Sequence, residues 1–502
     1  MNIKEAKTEI MRTIRIYTQK DSRGHYLLPA ARQRPVLLIG PPGIGKTAIM
    51  EQIASECGIG LVAYTITHHT RQSAVGLPVI SHQIFQNQEY SVTEYTMSEI
   101  IASVYKNMEK TSYTEGILFI DEINCVSETL VPTMLQFLQN KTFGTHAVPE
   151  GWIIVAAGNP PEYNPSAREF DIVTLDRVKK VCVDPDLNVW KEYAYDKGLH
   201  PAVLSYLSLK PQNFYHIKNQ TAGLTFATAR GWEDLSVILY GYENMEYPVE
   251  KSLILQYIQD SEIAADFADY YKLYAGYRQD YHISELLSGK LDFASLHDST
   301  IMAQKASSEE KLTVCGLLLE GWNQHFTEYN QTELFISRFR EILTQIKTWT
   351  DNGESLEDFI ANYKNALRIQ QENSLISSSE ADLRNQIIYI LNEASLRSRQ
   401  QHEQDPESIQ GFLQKQLNRF LSSQKEQQKK TSLALKYGFH FAEEAFTDGP
   451  ELLFLTADLS RNQKAVQFIS TFGCDGYFRH SQKLQFQERR EELLKQLDNT
   501  QK

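Results

Sequence analysis

The chain has 502 residues, of which 42% are hydrophobic and 23% are charged. This composition can form one large core or several, and it excludes a disordered, collagen-like or low-complexity chain. With 50 Lys and Arg residues against 63 Asp and Glu residues, the formal net charge is −13, which argues against a broad basic surface for nucleic acid but leaves a local basic groove open.

The cysteines and the N-terminal segment bear on the cellular compartment. The five cysteines are an odd number without a Cys-x-x-Cys pair, so the sequence predicts neither a disulfide framework nor a zinc ribbon and favours a reducing compartment. The N-terminal segment has charges throughout and no continuous apolar core, which argues against a signal peptide. No stretch reaches the ~18 apolar residues of a membrane span. We therefore expect a cytoplasmic protein.

Residues 1–185 predict an α/β domain. Ile10, Ile14 and Tyr17 recur at helical spacing and indicate an amphipathic first helix. Between residues 34 and 184, short apolar runs alternate with helical patterns, as in a parallel sheet whose strands are buried on both faces and joined by helices. These apolar runs are 36–39, 61–66, 117–120, 153–157 and 181–183.

The remainder of the chain predicts helices. From Asn188 onward the strand signal fades, and helical patterns indicate a small helical domain that ends near residue 245. Residues 246–502 are expected to be mostly helical and to bind a partner. In this part Asp405 and Pro406 predict the N-cap and the first position of one helix.

Nine tyrosines lie between Tyr240 and Tyr281. Because tyrosine combines apolar area with a polar tip, we interpret them as a seam where helices pack. A surface for a protein partner is the first alternative. Stacking on nucleic acid bases is the second, and the acidic net charge argues against it.

A glycine-rich segment directly follows the first predicted strand. Residues 40–47 read Gly, four residues, then Gly-Lys-Thr, and a helical run follows. In such a loop the backbone N–H groups surround phosphate oxygens, Lys46 reaches the β and γ phosphates, and Thr47 offers its hydroxyl to Mg²⁺. This predicts binding of ATP or GTP through Gly40, Pro41, Pro42, Gly43, Ile44, Gly45, Lys46, Thr47 and Ala48.

Two further predicted strands end in polar residues. The run 117–120 leads into Asp121 and Glu122, where Asp121 is expected to hold Mg²⁺ through water and Glu122 to polarise the attacking water. The strand after residue 152 leads to Asn159, whose amide is expected to orient that water or to contact the γ phosphate. The alternatives without function are an acidic strand exit at the surface and an ordinary Asn-Pro turn.

The order of these three motifs, with a helical domain behind them, resembles the AAA+ ATPases. The closer resemblance is to the MoxR branch, through Asp-Glu-Ile-Asn at 121–124, Met-Leu-Gln-Phe-Leu-Gln at 134–139 and Thr-Leu-Asp-Arg-Val at 174–178. The resemblance covers residues 30–240. It implies a P-loop NTPase sheet in an AAA+ core at 1–185, a helical lid at 186–245 and a long, mostly helical C-terminal extension.

The resemblance also implies a ring, usually a hexamer, that binds ATP and Mg²⁺ between neighbouring subunits. Arg177 is then the arginine finger that enters the next subunit's site, and Arg168 is the competing candidate. Arg230, at the start of a helix, is similar to the second sensor, which reports the γ phosphate to the lid. The alternatives are surface ion pairs for Arg177 and Arg168 and packing of Arg230 on Trp232.

Two segments of the core look like hairpin insertions of this branch, which in related rings face the central pore. One lies within residues 67–96 and the other spans 141–149, with Gly144 at its turn. His68, His69 and His82 suggest a metal site only weakly, because no Asp, Glu or Cys completes a ligand set at the usual spacing.

These observations favour an ATP-hydrolysing remodeller that moves its hairpins against a client protein. By resemblance, such a motor acts with a von Willebrand factor A domain protein. A nucleotide-gated scaffold with slow hydrolysis is the first alternative, although the set of expected site residues is complete. A DNA-directed AAA+ motor is the second. GTP-using restriction motors carry Asn-Thr-Ala-Asp-Arg after the sensor strand, whereas Pro160 and Pro161 follow Asn159 here, which argues against GTP.

Overall fold

The computed structural model describes most of the chain, namely residues 1–67, 76–86, 88–143, 145–164, 166–220, 223–351, 355–372, 376–400, 406–447 and 449–483. The chain forms two compact units, Met1–Val189 and Trp190–Lys502. The finer division into a core at 1–185, a lid at 186–245 and a C-terminal region at 246–502 remains a prediction.

A five-stranded parallel sheet forms the centre of the first unit. Its strands are β1 (Val36–Ile39), β2 (Gly60–Thr65), β5 (Gly116–Asp121), β8 (Trp152–Gly158) and β9 (Lys179–Cys182). They lie in the order β2-β5-β8-β1-β9, and all neighbouring pairs are parallel. The prediction of a parallel α/β sheet from the apolar runs is therefore confirmed.

Helices cover both faces of this sheet. They are α1 (Ile3–Tyr17), α2 (Lys46–Cys57), α3 (Glu99–Thr111), α4 (Val131–Asn140) and the short α5 (Ile172–Leu175). On one face Ile10 of α1 and Ile53 of α2 pack against the sheet, and on the other face Val104 of α3 and Phe137 of α4 do so. The predicted amphipathic first helix is confirmed, because its apolar stripe is buried here.

The first unit also contains two antiparallel hairpins. One pairs β3 (Pro78–Phe85) with β4 (Gln88–Tyr95), and the other pairs β6 (Thr142–Phe143) with β7 (His146–Ala147). Both hairpins were predicted, although His68, His69 and Gly144 lie outside the described residues. His82 is exposed and lies 3.5 Å from a Glu89 carboxylate oxygen. Among the described residues no group of three His, Cys, Asp or Glu side chains could hold a metal.

The second unit consists mainly of helices, as the sequence predicts, and the first of them begins in the last three residues of the first unit. They are α6 (Leu187–Lys197), α7 (Pro201–Leu209), α8 (Ala229–Asn244), α9 (Lys251–Tyr257), α10 (Ser261–Asp280), α11 (Ile283–Leu287), α12 (Phe293–Lys305), α13 (Ser308–Asp351), α14 (Leu356–Glu372), α15 (Ser378–Gln400), α16 (Pro406–Phe446), α17 (Pro450–Arg461) and α18 (Gln463–Phe472). Pro406 opens α16 as expected, and Asp405 lies outside the described residues. No helix within the described ranges combines the length and apolar character that crossing a membrane requires.

The helical prediction is wrong at one hairpin of the second unit. Strands β10 (His216–Gln220) and β11 (Gly223–Ala227) pair antiparallel, with Ile217 opposite Phe226. In β11 Leu224 and Phe226 flank Thr225, which is the alternation of a half-buried strand, whereas Ile217 is the one apolar residue of β10. The segments are short, so the surrounding helical patterns masked this signal.

The tyrosine-rich segment packs between helices. Tyr274 and Tyr281 are buried, and their hydroxyls donate to carboxylates of α13, Tyr274 to Glu320 at 2.6 Å and Tyr281 to Glu310 at 2.8 Å. A buried tyrosine needs such a partner for its hydroxyl. The interpretation as a packing seam is confirmed for these residues.

Candidate nucleotide-binding site

The sheet order brings the three sequence motifs to one edge. Strand β8 lies between β1 and β5, and Ile39 at the end of β1 is in register with Gly158 at the end of β8. Because the strands are parallel, the residues that follow β1, β5 and β8 emerge at the same edge of the sheet. In open α/β sheets ligands bind at this edge.

The glycine loop has the backbone shape that phosphate binding needs. Gly43 and Gly45 have φ angles of 74° and 89°, in the left-handed region that favours glycine. Gly45 is the N-cap of α2, and no side chain caps this helix. The first N–H groups of a helix have no intrahelical partner, so this uncapped terminus suits an anion.

Lys46 connects the loop to the third motif. It is buried, and its Nζ donates to the carbonyl oxygens of Gly40 at 2.7 Å and Pro41 at 2.9 Å. The same Nζ donates to Oδ1 of Asn159 at 2.7 Å. The structure therefore brings together a lysine and an asparagine that are 113 positions apart in the sequence.

Thr47 and Asp121 form the second contact between motifs. The Thr47 hydroxyl donates to Oδ2 of Asp121 at 3.0 Å, and Oδ1 of Asp121 accepts from the backbone N–H of Glu122 at 2.9 Å. A hydroxyl and a carboxylate are hard oxygen ligands of the kind that Mg²⁺ prefers. The residues present therefore fit a magnesium ion, with Thr47 and Asp121 as the groups that would hold it.

Glu122 occupies an unusual backbone position. Its φ of 56° and ψ of 35° lie in the left-handed region, which is uncommon for residues other than glycine and often marks functional sites. It directly follows β5 and precedes the 3₁₀ turn Ile123–Cys125. Burial, and next the negative charges of Glu122 and Asp121, raise the pKa of the Cys125 thiol. The electrostatic character of this strand end is therefore acidic.

The other predicted loop residues lie where the sequence places them. Ile44 packs against the apolar cluster on one face of the sheet, and Ala48 is the third residue of α2. A Cβ at Gly40 would lie 2.7 Å from the carbonyl oxygen of Val183, so only glycine fits there.

The three predicted arginines have different surroundings. Arg168 donates to the Glu128 carboxylate at 2.7 Å, whereas Arg177 donates to the neutral Oε1 of Gln139, also at 2.7 Å. Arg230 belongs to the second unit, where it is exposed in the first turn of α8. Its expected position at a helix start is confirmed, and the roles of all three arginines remain predictions.

The sequence assigned no role to Asn124, although it belongs to the quoted acidic motif. Its Nδ2 donates to the backbone carbonyl of Asn159 at 2.7 Å. The signal that the sequence offered for Asn124 was an amide side chain three positions beyond the end of a buried strand. Its partner is 35 positions away, so the sequence alone did not show the contact.

Comparison with known proteins agrees with this geometry. Residues 36–175 match the model of the ATPase family associated with various cellular activities (AAA). The matched segment contains the glycine loop, the acidic strand end and Asn159, and it ends two residues before Arg177. No curated protein matches the chain. The family match supports an AAA-type ATPase domain in the first unit and an ATP-driven activity.

Proposed function

We propose that the protein is a MoxR-like AAA+ ATPase that hydrolyses ATP with Mg²⁺ at the interfaces of a ring, a hexamer by resemblance, to remodel or load a client protein. The observation that carries the ATPase proposal is the contact of Lys46 with Asn159 beside the contact of Thr47 with Asp121. These two contacts join all three motifs into one site, at the edge of the sheet where ligands of α/β proteins bind.

Each residue of the site has a chemical task in this proposal. The N–H groups of the loop and the N-terminus of α2 bind the phosphates, and Lys46 exchanges its internal acceptors for phosphate oxygens. Mg²⁺, when bound, supplies positive charge for the phosphates. The Glu122 carboxylate accepts a hydrogen bond from the attacking water, and the Asn159 amide orients that water.

The charges around the two arginine candidates favour Arg177 as the finger. Arg168 is already neutralised by a carboxylate of its own subunit. Arg177 is exposed and hydrogen-bonded to a neutral amide, and the Asp171 carboxylate is near enough to interact with its charge without an ion pair, so this charge is more available than that of Arg168 to a phosphoryl group of a neighbouring subunit. The ring is part of the proposal because this finger acts in trans.

The remaining parts of the proposal depend on the resemblance. Arg230 is the second sensor of a lid at 186–245, and the helical region beyond residue 246 binds a partner with a von Willebrand factor A domain. The support from the molecule itself is the position of Arg230 at a helix start and the length of the helical second unit. The hairpins of the first unit are the parts that move the client.

The decisive experiment replaces Glu122→Gln. We expect ATP binding to persist and turnover to fall by at least about a hundredfold, because the amide keeps the shape of the side chain but does not act as a base. ATP affinity measured by calorimetry and steady-state phosphate release check this.

Glu109→Gln is the matched control, since Glu109 is exposed on α3. It should leave both quantities unchanged. Continued hydrolysis by the Glu122 variant would refute the role of this residue. Wild-type turnover below about one per hour would favour the scaffold instead.

A further inference from the structure

Asn124 lies at the point where the acidic strand end meets the third motif. It is the middle residue of the 3₁₀ turn Ile123–Cys125, two positions after Glu122. It is 6% exposed. A buried amide destabilises a protein unless its polar atoms find partners, so the partners of this side chain indicate what it does.

The Asn124 side chain bridges both ends of one loop. Its Nδ2 donates to the carbonyl oxygen of Asn159 at 2.7 Å and to that of Arg168 at 3.3 Å. The backbone N–H of Arg168 donates in return to the carbonyl oxygen of Asn124 at 3.0 Å. Sγ of the next residue, Cys125, accepts from Nδ2 of Asn164 at 3.2 Å. Hydrogen bonds therefore join the turn after Glu122 to three residues of the following loop, namely Asn159, Asn164 and Arg168.

Asn124 also packs closely against Gly158. A Cβ at Gly158 would lie 2.5 Å from Oδ1 of Asn124 and 2.9 Å from its Cγ. Such approaches are too short for a side chain, so β8 ends beside Asn124 only because residue 158 is glycine. Gly158 directly precedes Asn159, and the position of Asn159 is therefore tied to that of Asn124.

We propose that Asn124 is a positioning residue for ATP hydrolysis, which sets the separation between the Glu122 carboxylate and the Asn159 amide. Glu122 leaves β5 in a left-handed conformation, which persists only where surrounding contacts hold it. On the other side, Asn159 accepts from Lys46. Through Asn159, hydrogen bonds thus connect the turn after Glu122, the proposed base, with Lys46 of the glycine loop. This inference rests on the proposed ATPase function.

The first test compares Asn124→Asp with the same substitution at a control asparagine. Aspartate keeps the shape but donates no hydrogen bond, and its carboxylate repels the two carbonyls. We expect kcat at saturating ATP and Mg²⁺ to fall between about tenfold and about a hundredfold, the effect of a small misplacement of reacting groups. The Kd of a non-hydrolysable ATP analogue should change less than about threefold. A lower kcat with retained binding would indicate a lost transition-state interaction.

Asn107 is the matched control in the same unit. Its Nδ2 also donates to a strand carbonyl, that of Leu61 at 3.2 Å, and its Oδ1 would lie 2.8 Å from a Cβ at Gly60. Asn107→Asp should therefore lower the melting temperature while kcat remains at the wild-type value. If Asn124→Asp changes only the melting temperature as well, Asn124 is merely structural and the proposal is overturned.

A second test remains valid if Asn124→Asp fails to fold. Gly158→Ala inserts a methyl group against Asn124 Oδ1 and should lower kcat without removing any polar group. In the Asn124→Ala background the two closest atoms are gone and Cδ1 of Ile39 at 3.3 Å remains, so Gly158→Ala should cause a much smaller further loss. If the fold-losses in kcat of the two single variants multiply in the double variant, the two residues act independently and the proposal is overturned.

The outcomes separate this inference from the proposed function. A wild-type protein that hydrolyses ATP, together with an Asn124→Asp variant of unchanged kcat, overturns the inference alone. A wild-type protein without turnover under conditions where ATP binds overturns the proposed function and this inference together. A selective loss of kcat in Asn124→Asp, with Asn107→Asp unaffected, supports both.

Discussion

Three lysines are buried in the part of the chain that the structure describes, and their partners differ. Lys46 donates to three neutral oxygens of the nucleotide site. Lys191 donates to the carboxylate of Asp458, whereas Lys141 donates to the neutral Oε1 of Gln33 at 2.9 Å. A neutral acceptor compensates a buried ammonium less than a carboxylate does. We therefore expect protonation of Lys141 to oppose folding.

Lys141→Met tests this expectation through the dependence of stability on pH. Burial lowers the pKa of Lys141 to about 8 from its usual 10.5, so between these pH values the unfolded chain binds more protons and stability rises with pH. A shift of this size corresponds to about 3 kcal/mol. Urea unfolding near both ends of this interval should show a flatter rise for Lys141→Met than for the wild type.

Lys106→Met is the control for that measurement, because Lys106 is exposed on α3. It should keep the wild-type slope. An unchanged slope in the Lys141 variant would show that its ammonium stays protonated in the folded protein.

Arg177 and Arg168 make a second testable pair of residues. We expect Arg177→Ala to lower turnover by about a thousandfold or more, as loss of an arginine finger does, with ATP binding retained. Arg168→Ala should have little effect on turnover, since the Glu128 carboxylate already neutralises this arginine. Steady-state phosphate release measures both.

Mixing two inactive variants tests the action in trans. Subunits with Glu122→Gln retain Arg177, and subunits with Arg177→Ala retain Glu122. A mixed ring should therefore recover part of the activity where the two kinds meet. No recovery, or a large loss in Arg168→Ala, would contradict the assignment of Arg177.

The hairpin of β3 and β4 exposes apolar side chains on both of its faces. Ile80 and Ile84 share one face, with 69% and 74% of their surfaces exposed. Phe85 and Tyr90 lie on the other, with ring centroids 6.1 Å apart. A two-stranded hairpin alone is only marginally stable, and exposed apolar patches often mark interaction surfaces. This agrees with the proposed role of the hairpin against a client.

Serine substitutions in this hairpin should not affect stability. Ile80→Ser together with Ile84→Ser should shift the melting temperature by less than about 2 °C, because both side chains are already exposed to water. Ile101→Ala is the contrasting variant. Ile101 is fully buried on α3, and its truncation should cost about 2–5 kcal/mol in urea unfolding. A large loss in the serine variant would contradict this expectation, because it would show that the two isoleucines contribute to the stability of the folded protein.

A buried ion pair joins distant parts of the second unit. Lys191 of α6 donates to Oδ1 of Asp458 in α17 at 2.7 Å, across 267 positions of sequence. Tyr195 and Arg461 also donate to this carboxylate. Desolvation lowers the pKa of Lys191, and the negative charge of Asp458 opposes this effect. Each of these two buried charges therefore compensates the other, and removing one would leave the other unpaired.

Breaking this pair should strongly destabilise the molecule. Asp458→Asn leaves the Lys191 ammonium buried without a compensating charge, and we expect a loss of about 3–5 kcal/mol in urea unfolding. The exposed pair of Glu393 and Arg397 is the control, and Glu393→Gln should have a much smaller effect. The joint replacement Lys191→Met with Asp458→Leu should recover only part of the loss, because it leaves the buried Tyr195 hydroxyl without its acceptor. An Asp458→Asn variant as stable as the wild type would show that water reaches the Lys191 ammonium in the folded protein.

The sequence alone was sufficient for the local patterns of the first unit. Short apolar runs identified the five strands, although the edge strands β2 and β9 are only partly buried, and the spacing of Gly, Lys and Thr identified the loop, because both signals depend on neighbouring residues. The β10–β11 hairpin was missed, since β10 has one apolar residue and the alternation in β11 is too short to stand out from the helical segments around it. The backbone of Glu122 was not predictable either, because a left-handed conformation at a glutamate is held by contacts from other strands.

The strand order and its contacts come from the folded chain. The strand order places the ends of β1, β8 and β5 side by side, where Lys46 meets Asn159 and Thr47 meets Asp121 over separations of 113 and 74 positions. The same arrangement lets Asn124 hold a loop whose ends are 35 and 44 positions away. Local periodicity specifies which residues form strands and turns. Which of these turns meet depends on how the apolar faces of the whole unit are buried together, and no short segment contains that information.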